Sequence, residues 1–220
     1  DYVIHDTQTF PDLLKACKKD DTDEDVSYDA VSLFTSIPVK VTIDFICDEI
    51  YIRKKLSPFC SKKLIFKNLL TKLATNCTFS VNGKLMKHFD GCTMGGPISV
   101  VLSNIFMSKL ENEIVAPETP IFYKRYVDDI YVRRKKDVTD HPIESLNNYH
   151  TNLKFTIEDN PNKFLDTKIT FNNNLLTSKV FQKLNKFPSH WSSQVPIKYK
   201  RNTINTDLHR AKRISTDFLC

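Results

Sequence analysis

Ile121-Phe-Tyr-Lys-Arg-Tyr-Val-Asp-Asp-Ile-Tyr-Val-Arg133 is the stretch from which the fold is read. Aromatic and β-branched residues flank the adjacent pair Asp128–Asp129 and suit two strands, and Asp tolerates the tight conformations of a short connection. The segment therefore predicts a β-hairpin with two carboxylates at its tip. Such a tip is able to present charge to a metal ion while its strands stay packed. Asp-Asp is also ordinary turn chemistry, so by itself the stretch leaves a plain structural hairpin open.

Working outward, the 220 residues suit one medium domain, or a domain with part of another. Forty per cent apolar residues, with 15 Phe and 8 Tyr, suffice for a sizeable core. No apolar run has the length of a membrane span, and the acidic, polar start is not a signal peptide. The six cysteines form no CxxC pair and no short cluster with histidine, which argues against zinc and for reduced thiols in an intracellular protein. The net charge of +6 is unevenly spread: residues 1–29 hold nine acids and three lysines, residues 179–220 nine Lys/Arg and two Asp. A basic C-terminal segment with His190, Trp191 and Tyr199 interleaved fits a nucleic-acid backbone, and equally a solvated surface.

Periodicity orders the elements. Helical spacing runs over Phe10–Lys19, followed by an acidic loop, Asp20–Asp25, and a strand from Val26 that ends near Asp29. Helices follow over 39–56 and over Leu64–Ala74, the latter with a stripe at 64, 65, 69 and 73. Phe79–Phe89 is a hairpin turning at Asn82-Gly83. Gly91-Cys-Thr-Met-Gly-Gly-Pro97 holds three of the four glycines and opens a long helix, where Pro97 has no amide hydrogen to lose. Glycines there leave backbone amides open to a nucleotide or template strand, or simply make a tight connection. After the acidic hairpin, Arg133–Lys136 reads as a solvated basic exit. A helix (141–153), a strand (154–158), strands over Phe164–Phe171 and 175–182, and a last helical stretch near Asp207–Ser215 complete the chain. The predicted fold class is α+β, an antiparallel sheet with helices on one face, compatible with a ferredoxin-like βαββαβ core.

Asp29, at the end of the first strand, joins Asp128 and Asp129 if the two strands are sheet neighbours. Carboxylates packed together raise one another's pKa unless a cation sits between them. Mg²⁺ takes oxygen ligands, and two such ions about 3.5–4 Å apart serve phosphoryl transfer. A strand-end cap and a turn remain the plain alternative.

Tyr126-Val127-Asp128-Asp129 resembles the YxDD box of reverse transcriptases. Tyr28-Asp29-Ala-Val-Ser-Leu-Phe34-Thr-Ser-Ile37-Pro38 resembles the first catalytic motif of the Penelope-like element group. Asp90-Gly91-Cys-Thr-Met94-Gly95-Gly96-Pro97-Ile-Ser99 is similar to that group's "DGxxMGSPLS" motif, and Phe164-Leu165-Asp166 to its "FLD" element. The four occur in family order over roughly residues 26–185. The resemblance implies a reverse-transcriptase-like palm over 26–185, a remnant of the fingers in 1–25, and the basic start of a thumb in 186–220. It also implies that the fingers, with the basic residues that grip the triphosphate, and an endonuclease part are missing.

By the same resemblance, Asp29, Asp128 and Asp129 are the catalytic residues and metal ligands for two Mg²⁺ ions, with Mn²⁺ as substitute. Phe34 excludes a 2′-hydroxyl beneath the incoming sugar. Gly95 and Gly96 admit the template-primer, and Tyr126 and His88 complete the substrate contacts. His88 stands where the family has Gln, and Val100 where it has Pro. The implied partners are an RNA template, a DNA primer and deoxynucleotide triphosphates, the implied reaction RNA-directed DNA synthesis, and the implied compartment the nucleus. A nucleic-acid-binding module without catalysis is the other reading.

Overall fold

Three charged rungs start the central sheet. Strand β1 (Asp23–Ala30) runs antiparallel to β5 (Asp129–Lys135), so that Asp23 faces Lys135, Glu24 faces Arg134 and Asp25 faces Arg133. Opposite charges at facing positions select this register over a slipped one. Arg133 is fully buried and forks onto Asp25, with Nε–Oδ1 2.7 Å and Nη2–Oδ2 3.3 Å. Arg134 pairs with Glu24, and Lys135 with Asp23 at 2.6 Å. Residues 23–25 are thus strand, not the tail of an acidic loop, and Arg133–Arg134 are buried rather than solvated. Each charged run neutralises the other, a match that neither shows alone.

The structure is a computed structural model that describes residues 2–54, 61–75, 78–87, 90–136, 142–158, 162–172, 175–181 and 189–216. β4 (Phe122–Tyr126) and β6 (Phe155–Ile157) complete the sheet in the order β4-β5-β1-β6, with every pairing antiparallel. Between β1 and β4 lie α2 (Leu33–Ser36), α3 (Val39–Tyr51), α4 (Lys63–Thr75), the hairpin β2 (Thr78–Val81)–β3 (Lys84–Lys87), and α5 (Ser99–Leu110). α5 continues through a π-helical turn, Glu111–Val115, into α6 (Ala116–Glu118), and α7 (Pro142–Tyr149) links β5 to β6. This is the expected ferredoxin-like βαββαβ order.

Strand alternation divides the core. Tyr28, Ile130 and Val132 face the helices and pack with Ile43, Leu102, Phe106 and Leu110. Tyr131 faces the other way, onto Phe10 and Leu14 of α1 (Phe10–Ala16) and Phe164. The N-terminal segment is therefore built into the second core. Its Ile4 and Tyr2 also exchange backbone hydrogen bonds with Arg125 along the open edge of β4, each 2.8 Å.

Several helices differ from expectation in length or facing. α3 stops at Tyr51 because Lys54 takes a left-handed φ of 53° and the amides of Ile52 and Arg53 both close on the Asp48 carbonyl. α4 buries Ala74 and packs the half-buried Phe66 and Leu70 against the core, whereas the stripe Leu64, Ile65, Leu69 and Leu73 is exposed. The helix is apolar on two sides, and the ion pairs of Lys63 with Asp48 and Lys67 with Asp44 select which one meets α3. Asn82 (φ 50°) and Gly83 (φ 76°) form the expected turn between β2 and β3, both left-handed as a type I′ turn requires.

The strand expected over Phe164–Phe171 is split. Leu165 (φ 55°) turns β7 (Lys163–Phe164) back onto β8 (Thr167–Asn172), which pairs with β9 (Leu175–Val180) in a separate three-stranded sheet. That sheet carries α8 (Ile197–Ile214), which begins ten residues before the expected stretch. Arg210 pairs with Asp166 at 2.8 Å, and Ser178 Oγ donates to the Ile214 carbonyl at 2.5 Å. No helix among the described residues is long and apolar enough to cross a membrane.

Candidate active site

Two adjacent strand ends assemble the acids. Asp29 is the penultimate residue of β1 and faces Asp129, the first residue of β5. Directly opposed residues project from one face, here the face away from the helices. Asp128 occupies the two-residue turn Val127-Asp128 between β4 and β5, and its carbonyl accepts the Ala30 amide at 3.1 Å. The Asp29 carboxyl is held above its ordinary value of 3.8, first by burial and then by the charges of Asp128 and Glu158. Among the described residues no three or more His, Cys, Asp and Glu side chains are gathered as a metal cage. The fold brings Asp29 and Asp128 together, with Asp129 opposite Asp29 in the same rung.

The turn is strained. Val127 has φ 55°, a conformation rare for a β-branched residue and costing about 1–3 kcal/mol. Its carbonyl accepts from Arg125 Nη1 at 3.1 Å. Arg125 is fully buried and paired with Glu111, Nε–Oε1 2.5 Å, and the same Nη1 reaches Asn104 Oδ1 at 3.0 Å. Periodicity reads Arg125 as one more polar residue in a strand, and nothing local to it signals burial.

The other expected contacts surround this edge unequally. Phe34, in the short helix after Asp29, is half-buried against the helix-side core, and its carbonyl accepts the Cys92 amide at 2.7 Å. That bond joins the glycine loop to the turn after β1. Gly91 makes the join feasible: a Cβ there, at φ +83°, would lie 2.1 Å from the Thr35 carbonyl oxygen. Gly95 has φ +82° with open space around it, while a Cβ at Gly96 would meet Thr93 Oγ1 of its own loop and Ser99 Oγ at the start of α5. The close backbone approach therefore belongs to Gly91, and the exposed Gly95 is the glycine free to meet another molecule. Tyr126 is half-buried at the rim of the second core, opposite Asp129. His88 lies outside the described residues.

Glu158 is an acid that motif spacing misses. β6 pairs with β1 so that Thr156 faces Asp29, and Glu158 accepts from Ser27 Oγ at 2.9 Å just beyond. Sequence periodicity finds the strand but not its neighbour.

Comparisons with known proteins come down to shape and one short match. The Animal helix-turn-helix domain family model matches residues 189–219, a span that includes α8. A sequence comparison with curated proteins gives no match. Telomerase from Candida albicans, solved with a TWJ fragment of telomeric RNA, is similar in structure with a TM-score of 0.58 at 10% identity, covering 94% of this chain and 38% of that one. The Sicinivirus 3Dpol RNA-dependent RNA polymerase gives 0.57 at 14% identity, over 93% and 45%. Apo telomerase from Candida tropicalis, truncated from its C-terminal domain, gives 0.54 at 13%, over 81% and 41%. The fold is α+β and palm-like, similar to that of these polymerases, and the chain spans about two-fifths of the length of the structures it matches.

Proposed function

We propose that this chain is the palm of an RNA-directed DNA polymerase of the Penelope-like kind, transferring a nucleotide from a deoxynucleotide triphosphate to a primer 3′-hydroxyl on an RNA template. The observation that carries the reading is the meeting of Asp29 and Asp128 at one sheet edge, in a fold shared with template-directed polymerases. The four motifs in family order support the finer assignment.

The donor set fits a hard divalent cation. Asp29 and Asp128 are oxygen ligands whose mutual repulsion a cation relieves, and Mg²⁺ is commonly held by one or two carboxylates with substrate phosphate completing the shell. Asp29 and Asp128 would hold Mg²⁺, or Mn²⁺ in its place, with Asp129 supporting. When bound, such ions neutralise charge on the attacking and leaving oxygens. The chain's own part is positioning. The β1–β5 ladder sets the carboxylates side by side. The Cys92–Phe34 bond holds the Phe34 segment beside the glycine loop, where its ring would meet the sugar of the incoming nucleotide. The exposed Gly95 leaves room for the template-primer.

α8 supplies the nucleic-acid contact in this reading. Lys198, Arg201, Lys212 and Arg213 are exposed on it, and the Arg210–Asp166 pair ties it to the three-stranded sheet. The match of 189–219 to a helix-turn-helix family favours, as a second reading, a nucleic-acid-binding module without catalysis. Primer extension on an RNA template with Mg²⁺ and deoxynucleotides separates the two. Product that disappears in Asp128→Ala supports the polymerase. No product, with salt-sensitive binding unchanged in Asp128→Ala, supports the binding module.

A further inference from the structure

The acidic turn rests on an ion pair that no acid-bearing motif contains. Arg125 and Glu111 have side chains 0% and 1% exposed, on β4 and on the first residue of the π-helical turn. Their fork is Nε–Oε1 2.5 Å and Nη2–Oε2 3.4 Å, and Tyr123 Oη donates to the same carboxylate at 3.2 Å. A purely structural pair would be complete with these partners. Here the remaining nitrogen, Nη1, leaves the pair, crosses to Asn104 Oδ1 at 3.0 Å and reaches the Val127 carbonyl at 3.1 Å. The next carbonyl, that of Asp128, is taken from the β1 side by the Ala30 amide at 3.1 Å. Two consecutive carbonyls are thus fixed from two directions, one by the helix layer and one by β1. Immediately before the first of these carbonyls Val127 stays at φ 55°, a conformation that persists only when its surroundings over-determine it. π-helical turns recur at functional sites, and this one supplies the anchor.

We propose that Arg125 is the positioning residue of the acidic hairpin: clamped by Glu111 and Asn104, it holds the Val127 carbonyl and so sets where Asp128 stands relative to Asp29. The consequence for metal binding and catalysis rests on the polymerase reading; the consequence for the turn does not.

The test replaces the pair rather than breaking it. Glu111→Leu with Arg125→Met puts apolar groups of similar volume where the ions were, an exchange that often leaves stability unchanged or higher. A folded variant with amide exchange at Ala30 faster by roughly tenfold is expected, while the Val26 and Val132 amides in the ladder interior change much less. Mn²⁺ affinity, read by titration of the protein alone, is expected to weaken about tenfold or more, with a similar fall in kcat for primer extension and little change in the nucleotide KM. Arg125→Lys keeps the charge and loses the fork, so it is expected to lie between parent and double variant in Ala30 exchange and Mn²⁺ affinity. It carries the test if the double variant does not fold. A folded variant with parental exchange at Ala30 and parental Mn²⁺ affinity overturns the proposal. If the parent neither binds Mn²⁺ nor extends primers, the polymerase reading fails, and Ala30 exchange still decides the role of Arg125.

Discussion

Gly91→Ala against Gly95→Ala measures the join that brings the glycine loop to the turn after Asp29. Both residues have nearly the same left-handed backbone, φ +83° and +82°. Each substitution therefore carries the same conformational penalty, about 1–2 kcal/mol, and the same small gain from a stiffer unfolded chain. They differ in surroundings. A Cβ at Gly95 meets nothing within 4 Å, whereas at Gly91 it would lie 2.1 Å from the Thr35 carbonyl oxygen and 2.6 Å from its carbon. These are backbone atoms, so relief requires the two loops to part by about 1 Å. Overpacking of that kind costs roughly 1–3 kcal/mol. Parting also strains the 2.7 Å bond from the Cys92 amide to the Phe34 carbonyl, worth about 1 kcal/mol. Gly91→Ala is thus expected to destabilise by about 3–5 kcal/mol and Gly95→Ala by about 1–2. Urea unfolding followed by far-ultraviolet circular dichroism reads both. Equal losses in the two variants would refute the close approach, and with it the account of how Phe34 is held.

Three further outcomes follow from the charges. Asp25→Ala leaves the fully buried Arg133 without its carboxylate and is expected to cost about 3–5 kcal/mol by urea unfolding, whereas Asp25→Leu with Arg133→Met is expected near neutral. Asp29 in the folded protein keeps its proton above the ordinary 3.8, so the native state binds more protons than the unfolded one and stability falls as pH rises through that interval. Asp29→Asn is therefore expected to melt higher than the parent at neutral pH, with the gap closing as pH drops below 3.8; a gap independent of pH counts against the crowding of carboxylates there. In the triple variant Lys198→Ala, Arg201→Ala, Lys212→Ala, the slope of log affinity against log salt for duplex nucleic acid is expected to fall by roughly 0.9 for each phosphate that a removed cation had neutralised. An unchanged slope removes α8 from the interface.

Much of the palm was legible in order and spacing, because alternation and turn chemistry are local. The hairpin around Asp128, the Asn82-Gly83 turn and the helix after Pro97 all follow from a few neighbouring residues. So does the placement of Asp29 at a strand end. Legibility failed where a segment's role depends on what lies beside it. α4 carries apolar residues on two faces, and only the lysine pairs to α3 decide which is buried. Phe164–Phe171 alternates like one strand, yet Leu165 turns it so that Asp166 meets Arg210 more than forty residues away.

By itself, the amino-acid sequence determined the acidic hairpin, the α+β order and the ordered motifs that point to a polymerase palm, since each is written within a dozen residues. The tertiary structure alone decided that the acidic run 23–25 is the partner of the basic run 133–135, that Glu158 stands beside Asp29, and that Arg125 is buried beneath the turn. Periodicity reports which face of an element is apolar. It carries no record of which distant charge that face will meet, and the carboxylates acquire their environment only from those meetings.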